Sequence, residues 1–359
     1  MELVITKEFL DDFFISFDEG NKYHIDFKEF LTTKIKGVTI ITDLQDVTEW
    51  EQASEENPLW LYLLDIPMMT PEFVPTVETD ITNPSFYSTY TYPYKLFFTS
   101  KDKTTCEKLC KDYGFEYLSI ANLEDKWKIY YSQREDYNLP IDSTSSPRFD
   151  NWAKLSDFKH PINSILIIDN YLFCEFKQDG TKQFSHGDNL LAILRNLLSN
   201  NPNKLDIQLL IVTDSRNINI DDTLQPSSRD RRMHYIRNKL SDFIRTEFPL
   251  LRFDITVVNY DKRIHTTESE HDRGVYTNYF YFEIGTGLNI LDCSGRLINR
   301  SKISFYFPLR SNDKNVALSG LNSIKTYLND VNNYLISNPT FNRNKLICGS
   351  GNNRLVQGI

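Results

Sequence analysis

The segment Glu270–Asn289, EHDRGVYTNYFYFEIGTGLN, holds the residue types whose spacing could handle a phosphate ester. His271 and Arg273 flank Asp272. On an extended chain the two share one face and Asp272 takes the other. An imidazole can attack phosphorus or move a proton, and a guanidinium grips two nonbridging oxygens at once. Asn278 follows as a neutral amide. It can orient a partner by hydrogen bonding but stabilises a charged one less well than a carboxylate. Gly285, Thr286 and Gly287 then form a turn, with Asn289 just beyond. Bare glycine backbone lets N–H groups approach an anion. The same glycines also suit an ordinary tight turn. Three roles stand open for His271: a structural His–Arg–carboxylate network, phosphate recognition without catalysis, and nucleophilic attack on a phosphodiester.

A second cluster lies upstream in SSRDRRMHYIRNKL, where Arg229, Arg231, Arg232, Arg237 and Lys239 crowd one stretch of an acidic protein. It reads either as the solvated face of a helix or as a patch that contacts phosphate, with Arg229, Arg231 and Arg232 nearest the helix start. Tyr279, Phe280, Tyr281 and Phe282 could stack on bases, yet consecutive strand residues cannot all face one ligand, so core packing suits them better. In the first part of the chain, Asp43, Asp46 and Asp102 follow strand-like runs, and Asp11 and Asp12 fall in a helical one. Strand-end acids of this kind can bind Mg²⁺, and they can equally cap helices.

The elements that position these residues follow from periodicity. From Ile162 onward, INSILIIDNYLF, DIQLLIVTD and FDITVVNYD read as buried strands, each meeting an Asp. Gly187–Asn200 is a helix whose Leu190, Leu191, Ile193, Leu194, Leu197 and Leu198 make one apolar face. Arg229–Ile244 repeats Met233, Ile236, Leu240 and Phe243 at helical spacing, and Leu321–Ile336 is a further helix. Earlier, GVTIITD and YKLFFTS read as strands, and TTCEKLCKDYG as a helix stopped by Gly114 before the strand FEYLSI. That order predicts a βαβ unit on a parallel sheet. Residues 66–94 hold several prolines and many hydroxyl side chains, and read as a long irregular excursion. Residues 137–161 read as the boundary. The expectation is an α/β protein of two domains: residues 1–140, Rossmann-like, and residues 160–359, a mixed sheet flanked by helices.

The second domain resembles the phospholipase D-like superfamily. Its H-x-K, x4, D, x6, G-S pattern is matched in interval by His271-x-Arg273, Asn278 and Gly285-Thr286, with Arg, Asn and Thr replacing Lys, Asp and Ser. The closer likeness is to the HDR-type C-terminal domains attached to microtubule-interacting-and-trafficking (MIT) domains, which carry an upstream DPY echoed by Asp169-Asn170-Tyr171 and a later G-x-G-L-D echoed by Gly285–Asn289. The likeness covers about 162–298. It implies a phospholipase D-like fold with His271, Arg273 and Asn278 as the catalytic set, and Arg273, Gly285, Thr286 and Asn289 toward phosphate. Family enzymes need two such motifs, and this chain holds one, so hydrolysis would require a homodimer. It would proceed with neither metal nor cofactor. The first domain resembles a PIN-like nuclease only in outline, and it lacks a clear leading acid.

Composition sets bounds. The chain has 359 residues, 40% of them apolar, a net charge of −9 and a pI near 5.3. Such a balance argues against wholesale coating of DNA or of an anionic membrane, but leaves room for a local basic site. The five cysteines are scattered without zinc or disulfide spacing, which fits a reducing, cytoplasmic setting. The start, MELVITKEFLDDFF, lacks signal-peptide character, and no 18-residue apolar run spans a membrane. The resulting expectation is noncatalytic recognition of a phosphate-bearing ligand, nucleic acid before lipid, in a module suited to bacterial defence or a mobile element. The first domain is expected to bind a protein partner. The alternatives are a metal-independent homodimeric phosphodiesterase using His271, and a pure assembly protein.

Overall fold

The computed structural model describes residues 2–34, 38–65, 70–73, 80–83, 95–132, 136–138, 149, 151–158, 160–173, 189–199, 207–215, 229–264, 273–285, 287–291, 297, 302–307 and 311–357. The chain is α/β, with helices and two separate sheets. It divides into two compact units, Met1–Gln133 with Pro308–Lys314, and Arg134–Phe307 with Asn315–Ile359. No helix among the described residues is long and apolar enough to cross a membrane.

The first unit runs β1 (Glu2–Ile5), α1 (Lys7–Ile15), α2 (Lys22–Glu29), β2 (Thr39–Thr42), α3 (Val47–Glu56), α4 (Pro58–Asp65), β3 (Thr70–Phe73), β4 (Lys95–Phe98), α5 (Lys103–Tyr113), β5 (Glu116–Leu118) and α6 (Ile120–Ser132). The five strands are all parallel, in the order β3-β2-β1-β4-β5. Every residue of β1 and β4 is buried, as a parallel strand covered on both faces requires. Even their polar ends are paired, Glu2 with Lys95 across the β1–β4 register. Strand β3 corrects the reading of 66–94 as wholly irregular. Pro71 is tolerated there because β3 lies at the sheet edge, where only one side of the backbone must bond.

Four of the five acids singled out in this unit have structural partners, and Asp12 is exposed. Asp46 caps α3 through Glu49 N–H, and Asp102 caps α5 through Thr105 N–H, while Gly114, at φ 67°, ends α5 as foreseen. Asp43 accepts from Lys7 N–H at 2.7 Å, and its carboxyl is pushed up by burial. Asp11 takes Lys7 Nζ at 2.7 Å and Asn57 Nδ2 at 3.0 Å. Among the described residues no group of three or more His, Cys, Asp or Glu could hold a metal ion.

The second unit runs β6 (Asp136–Asn138), β7 (Ser164–Ile168), α7 (Asn189–Leu198), β8 (Ile207–Thr213), α8 (Arg229–Glu247), β9 (Phe253–Asn259), β10 (Gly274–Thr277), β11 (Tyr281–Ile284), β12 (Lys302–Tyr306), α9 (Ser311–Ser337), β13 (Ile347–Cys348) and α10 (Arg354–Gln357). Eight strands form one mixed sheet, β13-β9-β8-β7-β10-β11-β12-β6. Strands β7, β8 and β9 are parallel, and β10 turns antiparallel against β7. Residues 136–138, left in the first segment by the sequence reading, pair with β12 and so belong to this sheet. The six apolar side chains of α7 are buried together. On α8 the buried set is Met233, Ile236, Leu240 and Ile244. Phe243 instead lies partly exposed under the Arg195 guanidinium, because about three turns of 3.6 residues lead from Met233 to Ile244 rather than to Phe243.

Candidate functional site

The register of β7 and β10 fixes where each motif residue falls. Gly274 lies opposite Ile168, and Thr277 opposite Ile165. Arg273, one residue before β10, therefore stands beside Asp169, one residue past β7. This is the carboxyl edge of the parallel strands, and it is also where the chain order reverses, with β8 on one side of β7 and β10 on the other. Open α/β sheets bind ligands at such a place.

Three distant pieces of sequence meet here. Asp169 is 1% exposed and accepts two backbone hydrogen bonds at 2.8 Å, from Tyr171 N–H and from Leu288 N–H. Burial pushes its carboxyl up, and these two donors with the Arg273 charge only partly offset that. Asn289 Nδ2 donates to the Tyr171 carbonyl at 3.1 Å. The Arg273 guanidinium lies 5.0 Å from the centre of the Tyr171 ring, so the tyrosine carries the cation on its face. Gly287, at φ 103°, packs so closely that a Cβ would stand 3.1 Å from Asp169 Oδ2 and 3.2 Å from Arg273 Nη1. Arg273 is only half-buried, yet its Nε is sealed from solvent and, among the described residues, has no hydrogen-bond partner. It is thus held against Tyr171 while part of its side chain stays open to solvent.

The polar edge continues along β8 and β9. Among the described residues, Thr213 Oγ1, Ser215 Oγ, Tyr260 OH and Arg232 Nε are likewise buried without a hydrogen-bond partner. Each such group costs roughly 1–3 kcal/mol if left unmet. Hydrogen bonds to backbone carbonyls tie them into one strip: Tyr260 N–H donates to Thr213 O at 2.8 Å, and the Arg232 side chain donates through Nη1 to Ser215 O at 3.2 Å. Asp214 and Asp261, both buried, lie on the same edge, and Asp261 holds Arg263 through both oxygens at 2.9 and 2.7 Å. Tyr327 donates to Asn259 O at 2.6 Å, and burial drives its hydroxyl pKa well up. The edge therefore carries mixed charge rather than a uniformly positive hollow.

Other expected residues stand elsewhere. Asn278 lies beyond the far end of β10, roughly 17 Å along the strand from Arg273 at about 3.3 Å per residue, so the two do not share one site. There it is fully buried. Its Oδ1 accepts from Asn163 N–H at 3.0 Å and Ser164 N–H at 3.1 Å, and its Nδ2 donates to Asn163 Oδ1 at 2.6 Å. Gly285 is exposed with no atom near its missing side chain, so only Gly287 makes the close approach. Arg231 is exposed, while Arg237 is spent on the Ile255 carbonyl at 2.9 Å and Lys239 sits over the Tyr235 ring. Tyr279, Phe280, Tyr281 and Phe282 are all core. His271 and Thr286 lie outside the described residues, as does the side chain of Arg229, whose backbone opens α8.

Sequence reading missed Thr213, Ser215, Tyr260 and Tyr327. The signal available was only that β8 and β9 each run into an Asp, which marks their carboxyl ends as neighbours. It also missed that His234 Nδ1 lies 2.7 Å from Cys348 Sγ. Set against known proteins, no family model matches this chain and no curated protein matches its sequence.

Proposed function

We propose that the second unit binds a phosphate-bearing ligand at the carboxyl edge of β7, β8 and β9, without turning it over, and that nucleic acid is the preferred class. The observation that carries this is Arg273: held over the Tyr171 ring, half-exposed, and beside the bare backbone of Gly287. A guanidinium so held is pre-organised to grip an anion, because Tyr171 has already restricted its rotamers. Arg232, half-buried and held by the Ser215 carbonyl at 3.2 Å, lies along the same edge and places a second guanidinium there. The noncatalytic choice is supported by Asn278. The residue at the aspartate position of the resembled motif is occupied by backbone N–H groups at the other end of the strand.

The test is binding of short single-stranded RNA and DNA, and of inorganic phosphate, to the full chain by fluorescence anisotropy and calorimetry. Charged hydrogen bonds contribute about 1.5–3 kcal/mol, so Arg273→Gln is expected to weaken binding roughly 10- to 100-fold, with Arg273→Lys intermediate. Affinity falls with added salt. Binding indifferent to Arg273→Gln overturns the reading in favour of an assembly role. Cleavage of the oligonucleotide that is lost in His271→Ala overturns it in favour of a homodimeric phosphodiesterase.

A further inference from the structure

The chain's net charge is unevenly placed. Its first 65 residues hold 15 Asp and Glu against five Lys, a net of −10, while the remaining residues are close to neutral at +1. The same segment builds α1 to α4, and these helices leave large apolar side chains in solvent. Phe14 is 43% exposed, Ile15 82%, Ile25 45%, Leu61 49% and Tyr62 47%. Five such residues in one small segment exceed the scattered singles of an ordinary surface. Two of them, Phe14 and Tyr62, line a cavity of about 140 Å³ together with Phe17, Lys28, Pro58 and Leu59.

The helices that carry the lining are tied by aromatic packing: Phe13 of α1 packs edge-on against Phe27 of α2 at 4.8 Å, and Trp50 of α3 against Trp60 of α4 at 5.0 Å. Acidic residues are close to the lining in the chain: Asp12, Asp18, Glu19, Glu29, Glu55 and Glu56 are all exposed and stand within a few residues of it. Lys28, the one cation of the lining, lies 4.8 Å over the Phe17 ring and so is partly neutralised by it.

We infer that this face of α1, α2 and α4 docks a basic amphipathic helix of a protein partner, its apolar stripe entering the cavity and its Lys and Arg meeting the nearby acidic residues. Charge decides among the occupants. A second copy would bring the same acidic residues against themselves, and like charges across a two-fold interface repel. An anionic membrane surface is repelled for the same reason. A cationic helix gains both the apolar contact and the charge complementarity.

The experiment uses the full chain and three 18-residue peptides. The first is a Leu/Lys helix with its leucines on one face, the second has the same composition reshuffled to abolish the face, and the third is a Leu/Glu counterpart. By fluorescence anisotropy the first is expected to bind in the micromolar range. Tyr62→Ser and Phe14→Ser are each expected to weaken it about tenfold or more, as loss of a central aromatic anchor does. Both sites are exposed, so folding is retained, which circular dichroism checks. Arg273→Gln leaves this binding unchanged, which separates it from the ligand site. The inference is overturned if the reshuffled peptide binds equally well, if both serine variants bind as the parent does, or if sedimentation shows self-association that Phe14→Ser abolishes.

Discussion

Replacing Gly287 by alanine tests the site most sharply, because its two effects can be sized in advance. At φ 103° an L-residue sits in a sparsely populated region, which costs of order 1–3 kcal/mol. The added Cβ would also stand 3.1 Å from Asp169 Oδ2 and 3.2 Å from Arg273 Nη1, so both side chains must give by a few tenths of an ångström. Asp169 has little room to move, being pinned by two backbone N–H groups at 2.8 Å. Arg273 is the freer of the two and is the one displaced from Tyr171. The expected result is about 2–3 kcal/mol of lost stability together with weakened oligonucleotide binding. Gly285→Ala is the built-in control, since its Cβ meets nothing within 4 Å. It should change neither quantity by more than about 0.5 kcal/mol. Urea unfolding gives the stability, and hydrogen exchange at β7 and β11 localises it. If Gly287→Ala behaves like Gly285→Ala in both assays, Gly287 does not shape the Asp169–Arg273 pair and the site has been misread.

Three further outcomes follow from the same physics. Asn278→Ala should cost about 2–4 kcal/mol by leaving the buried N–H groups of Asn163 and Ser164 unmet, while ligand affinity stays unchanged; Asn278→Asp should restore no cleavage, and a variant that cuts an oligonucleotide would contradict the placement. Lys126→Met should destabilise by about 3–5 kcal/mol, since it strands Glu116, 1% exposed and 2.9 Å away, inside the protein. Glu116 and Cys110 raise the Lys126 pKa, so the pair's contribution is fully present below the ordinary lysine value of 10.5 and is lost only as pH rises through the higher folded value; thermal melts across alkaline pH, with and without Lys126→Met, should show this. Burial raises Cys106, Cys110 and Cys348, with Cys110 at about 12, so iodoacetamide near neutral pH should label these three only after unfolding, as peptide mapping would reveal.

Much of the fold could be read from the order of residues, and the reason is local. The helix α7 declares itself through six apolar side chains at helical spacing, and α5 through Asp102 at one end and Gly114 at the other. The buried parallel strands β2, β4, β7, β8 and β9 declare themselves as β-branched or aromatic runs ended by polar residues. Strand β3 did not, because Pro71 and its neighbours carry turn chemistry, and only pairing with β2 makes them a strand. The site was legible only in its parts. Arg273, Gly287, Asn289 and the Asp169–Tyr171 turn could be picked out by type and spacing, and so could the arginine run on α8.

Their assembly belongs to tertiary structure. Whether Asn278 joins Arg273 depends on the length and register of β10 against β7, which set the two at opposite ends of one strand. The hydroxyls of Thr213, Ser215 and Tyr260 have no signature of their own. They become a strip only because β8 and β9 run parallel and end together at the sheet's carboxyl edge. Sequence fixes which side chains can bond or repel, since that chemistry is local. Which of them meet is decided by strand pairing between residues far apart in the chain, 46 for Thr213 and Asn259 and 106 for Ile168 and Gly274, and no local pattern encodes that distance.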